Sequence, residues 1–442
     1  MRKRWSVVPR LVPLVLAPRL LLAAGQQAEP PRPPPTETVT VPVPKLTLAP
    51  GKGVLVSTPD DKFGVGVRGG VQLRHTLTVP YSGGKAGHDL AVRRARVWFF
   101  GHLLSKDLQY GMQLGVAGQD LEPDNNSPLL DAYVTWTGMR DLQVRVGQMS
   151  IPYTRQRMTS DMLLSFVDRG LGVGEMLLHW DTGLVVMSQD LFGLGGVLSY
   201  QAGVFSGDGR NRLGGSVGIP DPTQLVKKGP WPLNLGGAEQ RRGPWGVVLP
   251  QLGLLWIARA QIAPLGKFDD MSEADFGRSS KPRLAFALSA AYNQNTTRER
   301  STWGKTYKLG GFDYFHGGAE AILKVAGLTV ALEALCRLAT ESEHTDVREG
   351  QSVVEYSRSA LGWMAQTGYM FNDHLEVAAR LGAVAPVLGD KAGLKPTHEV
   401  AGAWSIFLLQ HVLKVQGDYS YLAPTGLKDG VHQLRLQSTL MF

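Results

Sequence analysis

The sequence predicts an all-β chain: an antiparallel transmembrane β-barrel of about sixteen strands with one constriction loop folded inward. Three observations predict it. Apolar and polar residues alternate with period two over most of the chain. The connections between these runs tend to alternate short and long. The chain ends on an alternating strand whose last residue is Phe442.

Residues 1–25 read as a signal peptide: a basic MRKRWSVVPR, an apolar LVPLVLAPRLLL, and the small Ala23-Ala24-Gly25. They hold five basic residues and no acid, so the formal charge of +8 falls to +3 beyond them, 41 basic against 38 acidic. That balance, with no basic run interleaved with aromatics, argues against nucleic acid as a partner. Residues 26–60 read as a Pro-rich periplasmic linker, extended and without a core. Residues 61–442 read as the barrel. No run of about 18 apolar residues follows the N-terminus, which excludes a spanning helix. The single Cys336 excludes an internal disulfide framework and a Cys-based zinc site.

The strands follow in order. Val65, Val67, Val71 and Leu73 share one face, with Arg68, Gln72 and Arg74 on the other. Leu108, Tyr110, Met112 and Leu114 stand opposite Gly or Gln, and Leu284, Phe286, Leu288 and Ala290 opposite small or polar residues. A soluble sandwich alternates in the same way, so the connections decide. Ser105-Lys106, Ala326-Gly327 and Asn372-Asp373 are tight turns, and 119–128, 150–180, 206–250, 295–310 and 341–354 are long loops. Short turns on one rim and long loops on the other suit a barrel threaded from the periplasm. Residues 264–281, with Asp269, Asp270, Glu273 and Asp275, break the rule and read as a solvated acidic loop. The final strand sets Leu434, Leu436, Leu440 and Phe442 on one face, and a terminal Phe442 reads as the signal taken by the barrel-assembly machinery. Trp98, Phe99, Phe100, Trp136, Tyr369 and Tyr419 suit girdles at the lipid interfaces.

Between Gly147 and Gly170 the alternation stops. GQMSIPYTRQRMTSDMLLSFVDRG mixes Arg155, Arg157 and Arg169 with Asp161 and Asp168, and its Met158, Met162, Leu163, Leu164 and Phe166 need burial. Folding against the inner wall buries them. Arg155 and Arg157 are then expected to project into the lumen as the constriction, with Asp161 and Asp168 as anchors or as the acidic side of a crosswise field. If the apolar parity faces lipid, Arg68, Arg74, Arg94, Arg96, Arg145, Arg283, Arg380, Lys414 and Arg435 line the pore, against Asp131, Glu333, Glu376 and Asp418. That bias favours anions. Arg93 and Arg94 cannot both face inward on a regular strand, so Arg93 sits near an interface or its strand bulges.

RRARVWFFGHL (93–103), LDAYVTWTGMRDLQVRVGQMSIPYTRQRMTSDMLLSFVDRG (130–170), DTGLVVMSQDLFGLGGVLSYQAGVFSGDGRN (181–211) and the end at Phe442 together resemble the phosphate-selective porin O/P family. The resemblance covers roughly 60–442 and is strongest to about 211. It implies a barrel of sixteen strands in the bacterial outer membrane, usually trimeric, passing small anions (phosphate or similar) through a constricted, Arg-lined pore.

Catalysis finds little support. There is no HExxH, nucleophile elbow or P-loop, and Gly207-Asp208-Gly209 reads as a turn. The expectation is an outer-membrane porin, not an enzyme, with no cofactor or metal, its partners being small anions and outer-membrane lipid. The alternatives are a general non-selective porin, a secreted β-rich enzyme, and a plugged structural or adhesive barrel. The loop 206–250, with Lys227, Lys228, Trp231, Arg241, Arg242 and Trp245, reads equally as an anion-attracting vestibule or a trimer contact.

Overall fold

The computed structural model describes residues 43–122, 127–210, 253–348, 351–387, 391–424 and 429–442. The signal peptide, the linker as far as residue 42, and Lys227, Lys228, Trp231, Arg241, Arg242 and Trp245 of the 206–250 loop lie outside the described residues.

Two short strands, β1 (Lys45–Ala49) and β2 (Gly53–Ser57), precede the barrel. Its wall begins with β3 (Gly64–Pro80), β4 (Gly87–Leu103), β5 (Ser105–Gly115), β6 (Leu129–Trp136) and β7 (Gln143–Ser150). It continues with β8 (Trp180–Ser188), β9 (Leu198–Phe205), β10 (Leu255–Ile262), β11 (Arg283–Thr296), β12 (Phe312–Val325) and β13 (Leu328–Ala339). A separate hairpin, β14 (Glu343–Arg348) and β15 (Gln351–Tyr356), stands in the connection to β16 (Ala360–Met370). The wall ends with β17 (Leu375–Pro386), β18 (Thr397–Leu409), β19 (Leu413–Pro424) and β20 (Val431–Met441). Each wall strand pairs antiparallel with the next, and β20 pairs with β3, from Val431 opposite Pro80 to Met441 opposite Gly70. The result is the expected closed barrel of sixteen strands.

The two faces of the wall are the reverse of a soluble barrel's. Leu288 is 69% exposed and Leu436 50%, while Lys324, Arg337 and Lys414 are 0% exposed. An apolar outer face and a charged inner face suit strands surrounded by lipid. One rim has tight turns, Leu104 between β4 and β5 and Ala326-Gly327 between β12 and β13.

Three local outcomes differ from the sequence reading or complete it. The linker expected over 26–60 gives way before residue 60 to the β1–β2 hairpin, whose β2 extends the wall through Val54 opposite Val67 and Val56 opposite Val65. The Pro-rich context masked the alternation of Leu46, Leu48, Val54 and Val56. Between β3 and β4 the register slips: Gln72 faces Arg94 and Leu73 faces Val92, which leaves Arg93 as the bulged residue. The bulge turns Arg93 and Arg94 to the same side, the inside. Trp98 and Phe100 do not join a lipid girdle, because both pack inward around the Arg68 guanidinium, at 5.2 and 5.8 Å.

Candidate functional site

The long β7–β8 connection, residues 151–179, enters the barrel and is held there by short elements with local caps. Thr154 caps α1 (Arg155–Met158) by accepting from Arg157 N at 3.2 Å, and Ser160 caps the turn Asp161–Leu163 through Met162 N. A second helix, α2 (Leu171–Met176), lies against β13, β16 and β17. Gly172 permits this close approach: a Cβ there would come 2.3 Å from Ala383 O and 2.5 Å from Trp363 O. Of the five apolar residues expected to need burial, Met162, Leu164 and Phe166 are buried, and Met158 and Leu163 are half-buried beside a cavity. Ile151, Tyr153, Val173, Met176 and Leu178 pack with Phe205, Leu255, Leu335 and Met364, and Phe166 packs with Ala378, Ala401 and Ala403. Burying one side chain such as Phe166 contributes about 1.5–3 kcal/mol.

Carboxylates of the wall fasten the segment's backbone. Glu320 accepts from Arg155 N at 2.7 Å and Glu333 from Gln156 N at 2.9 Å. Asp418 accepts from Val167 N at 3.1 Å and Glu399 from Leu171 N at 2.7 Å. These inward acids are thus anchors, each tied to a backbone amide of the segment.

The segment's own acids fall seven residues apart, at Asp161, Asp168 and Glu175, and each meets three arginines. Asp161 pairs with Arg94 (3.2 Å), Arg96 (2.9 Å) and Arg169. Asp168 pairs with Arg74 (2.8 Å), Arg93 (3.1 Å) and Arg94 (3.1 Å). Glu175 pairs with Arg300 (3.3 Å), Arg337 (2.8 Å) and Arg358 (2.7 Å). Burial favours protonating Asp161, but Arg169, Arg94 and Arg96 outweigh it and hold the carboxyl well below the usual range. Asp168 is lowered in the same way, against its burial, by Arg94, Arg74 and Arg93.

Arg157 differs. Its guanidinium stacks 4.1 Å from the centre of the Trp180 ring, forms no ion pair among the described residues, and leaves Nε and Nη2 without a hydrogen-bond partner. Burial first, and then Arg169, push it down to about 9. It borders a cavity of about 310 Å³ lined also by Arg68, Arg96, Arg169, Asp131, Asp161, Gln113, Trp98 and Trp180. Trp180 carries two further guanidiniums, Arg96 at 5.7 Å and Arg210 at 5.8 Å.

The other expected residues are placed as follows. Arg155 does not share Arg157's cavity: it donates to the carbonyls of Asp270 and Ser272 and lies over Phe268 at 4.9 Å. Arg169 binds Asp161 and the carbonyls of Gln156 and Thr159. Arg380 pairs with Glu399 (2.8 Å) and donates to Asp168 O, Lys414 donates to Leu164 O (2.8 Å), and Arg435 pairs with Asp418 (2.7 Å). These three are braces. Arg145 stays on the wall, over Tyr133 and bonded to Thr135. Asp131 accepts from Trp180 Nε1 at 3.2 Å and from Ser150 N at 3.3 Å. Phe442 closes the last strand through backbone bonds with Gly69. Asp208 accepts from Thr296 and Thr297 between two glycines at φ 91°, so 207–209 is a turn.

Sequence reasoning missed Trp180 and Glu175 with its arginines, and misread the acidic connection 264–281. The last is solvated only in part: Asp269 is 61% exposed beside Lys267, while Glu273 is 6% exposed and Asp275 1%. Four acids in a connection on the short-turn rim were its only signal.

A family model described as phosphate-selective porin O and P matches residues 65–219. No curated protein matches the sequence. Among solved structures, a loop L8 deletion mutant of OmpT, an outer membrane protein of Vibrio cholerae, is 10% identical with a TM-score of 0.50, over 86% of this chain and 100% of that one. The outer membrane channel DcaP of Acinetobacter baumannii is 11% identical with a TM-score of 0.50, over 86% and 97%. At these identities the structural matches speak to the fold.

Proposed function

We propose that this chain, a member of the phosphate-selective porin O and P family set in the bacterial outer membrane, admits small anions by passive diffusion past Arg157. One observation carries the reading: a buried guanidinium with two unpartnered nitrogens, stacked on Trp180, beside a cavity of about 310 Å³. Buried donors without acceptors are costly, and an oxyanion supplies the missing acceptors. The pressure that burial puts on the Arg157 charge acts in the same direction, since an anion relieves it. Phosphate, or an anion of like size and geometry, suits the fork of a guanidinium.

The reading extends to export by residues 1–25, assembly signalled by Phe442, and a homotrimer. A second reading, a plugged barrel, is favoured by the dense packing of 151–179, where Tyr153, Met162, Val167 and Val173 are 0% exposed. Reconstitution of the purified full chain in a planar bilayer separates the two. The porin reading expects discrete conductance steps and, in a potassium chloride gradient, a reversal potential of the sign set by anions, with chloride current reduced when phosphate is added. A silent bilayer supports the plug, and a cation-signed potential refutes anion selectivity.

A further inference from the structure

The connection between β10 and β11 begins on the short-turn rim and turns into the barrel beneath the inserted segment. It is tied down on the rim side. Asp270 pairs with Lys324 (2.7 Å), Asp275 pairs with Arg283 (2.6 Å) and accepts from Gly327 N (2.9 Å), and Ser272 Oγ lies 2.8 Å from His411 Nε2. Its tip meets the segment. Glu273 N donates to Leu163 O at 3.2 Å. One oxygen of the buried Glu273 carboxylate accepts from Ser165 N (2.8 Å) and from Gln366 Nε2 on β16 (3.0 Å), and the other accepts from Gln156 Nε2.

We infer that Glu273 is a positioning residue of the constriction, holding the inserted segment at Gln156 and Ser165 so that Arg157, between them, faces the solute. The inference rests on the reading of 151–179 as the constriction. A single acceptor-only side chain bridges two points of the segment to the wall, and the four-residue helix α1 is too short to hold itself. The same connection takes Arg155 out of play through the carbonyls of Asp270 and Ser272. It therefore selects which of two neighbouring arginines is left unpartnered. This gives the acids of 263–282 a role that surface solvation does not.

The test uses the reconstituted full chain. Wild type is expected to show one quiet conductance level. Glu273→Ala is expected to lose it, with flicker among larger levels and an anion-to-cation ratio falling toward one. Glu273→Gln is expected to restore the quiet level. Gln156 Oε1 has no partner among the described residues, so the Gln156 amide can turn to accept from the new one. A second arm covers poor folding of the alanine variant. In a Cys336→Ser background, Leu163→Cys with Glu273→Cys places thiols at two residues whose backbones already bond. Oxidation is expected to quiet the channel and reduction to release it. Wild-type noise and selectivity in Glu273→Ala, equal loss in Glu273→Gln, or indifference to oxidation overturns the inference. A wild-type channel that does not prefer anions instead overturns the reading it rests on, since the noise comparison between variants does not depend on selectivity.

Discussion

Replacing Arg157 alone should remove most of the anion preference, and replacing Arg155 alone should remove little. Four guanidiniums and two carboxylates line the Arg157 cavity. Arg96 and Arg169 are already paired with Asp161. Of the remainder, Arg157 alone combines burial with unpartnered nitrogens. A unit charge about 4 Å from a guanidinium gains roughly 4 kcal/mol at an effective dielectric near 20, before the ion's desolvation cost. A net remainder of about 1.4 kcal/mol is a tenfold change in partition. Arg157→Ala should therefore lower the anion-to-cation permeability ratio about tenfold, while Arg157→Lys keeps part of it. Arg155 sits against carbonyls and Phe268, so Arg155→Ala should change the ratio by less than about twofold by the same conversion. Reversal potentials of the three variants in a salt gradient measure this. An unchanged ratio in Arg157→Ala that still folds and conducts, or an equal fall in Arg155→Ala, refutes the assignment.

Four further outcomes are expected. Asp168→Asn frees Arg74, Arg93 and Arg94 from a shared carboxylate, so anion preference should rise several-fold in the same assay. Gly172→Ala pushes a Cβ into Ala383 O and Trp363 O; overpacking of about 1–3 kcal/mol should lower the temperature at which the folded band converts to the unfolded band on gels. The carboxyls of Asp161 and Asp168 are held below their unfolded value of about 3.9. Their stabilisation should be fully present above about pH 4 and be lost as pH falls toward the folded values, so the heat resistance that wild type has over Asp161→Asn with Asp168→Asn should be flat from pH 7 to about 4 and shrink below. Deleting Phe442 removes the backbone bonds to Gly69 and should reduce folded barrel in outer-membrane fractions while export across the inner membrane persists.

The wall was legible in the sequence because a half-buried strand writes its two faces into every second residue. The inward placement of Arg74, Arg94, Arg380, Lys414 and Arg435 followed from that parity alone, as did the alternative of a bulge at Arg93-Arg94. Insertion of 151–179 was legible as well, since Met162 and Phe166 had nowhere else to be buried. Partners were not legible. Arg155 and Arg157 lie two residues apart, about 200° around a helical turn, and which one meets a carbonyl depends on a connection more than a hundred residues away. Most inward arginines proved to be braces: the acids of Arg74, Arg94 and Arg96 arrive on the inserted segment, and those of Arg380 and Arg435 stand on the neighbouring strands β18 and β19. Trp180 is one residue at a strand start, with no local pattern to mark it. The acidic connection was misread because composition does not distinguish an acid in water from one bonded to an amide.

Solute is expected to pass beside Arg157, between the inserted segment and the β3–β8 side of the wall. Thiol labelling of an Arg157→Cys variant in a Cys336→Ser background, followed in single reconstituted channels, tests it most directly. The expected result is a stepwise fall in conductance on modification from the solution side, larger for a bulky reagent than for a small one. Conductance that stays at its full value after labelling is confirmed by mass contradicts the claim.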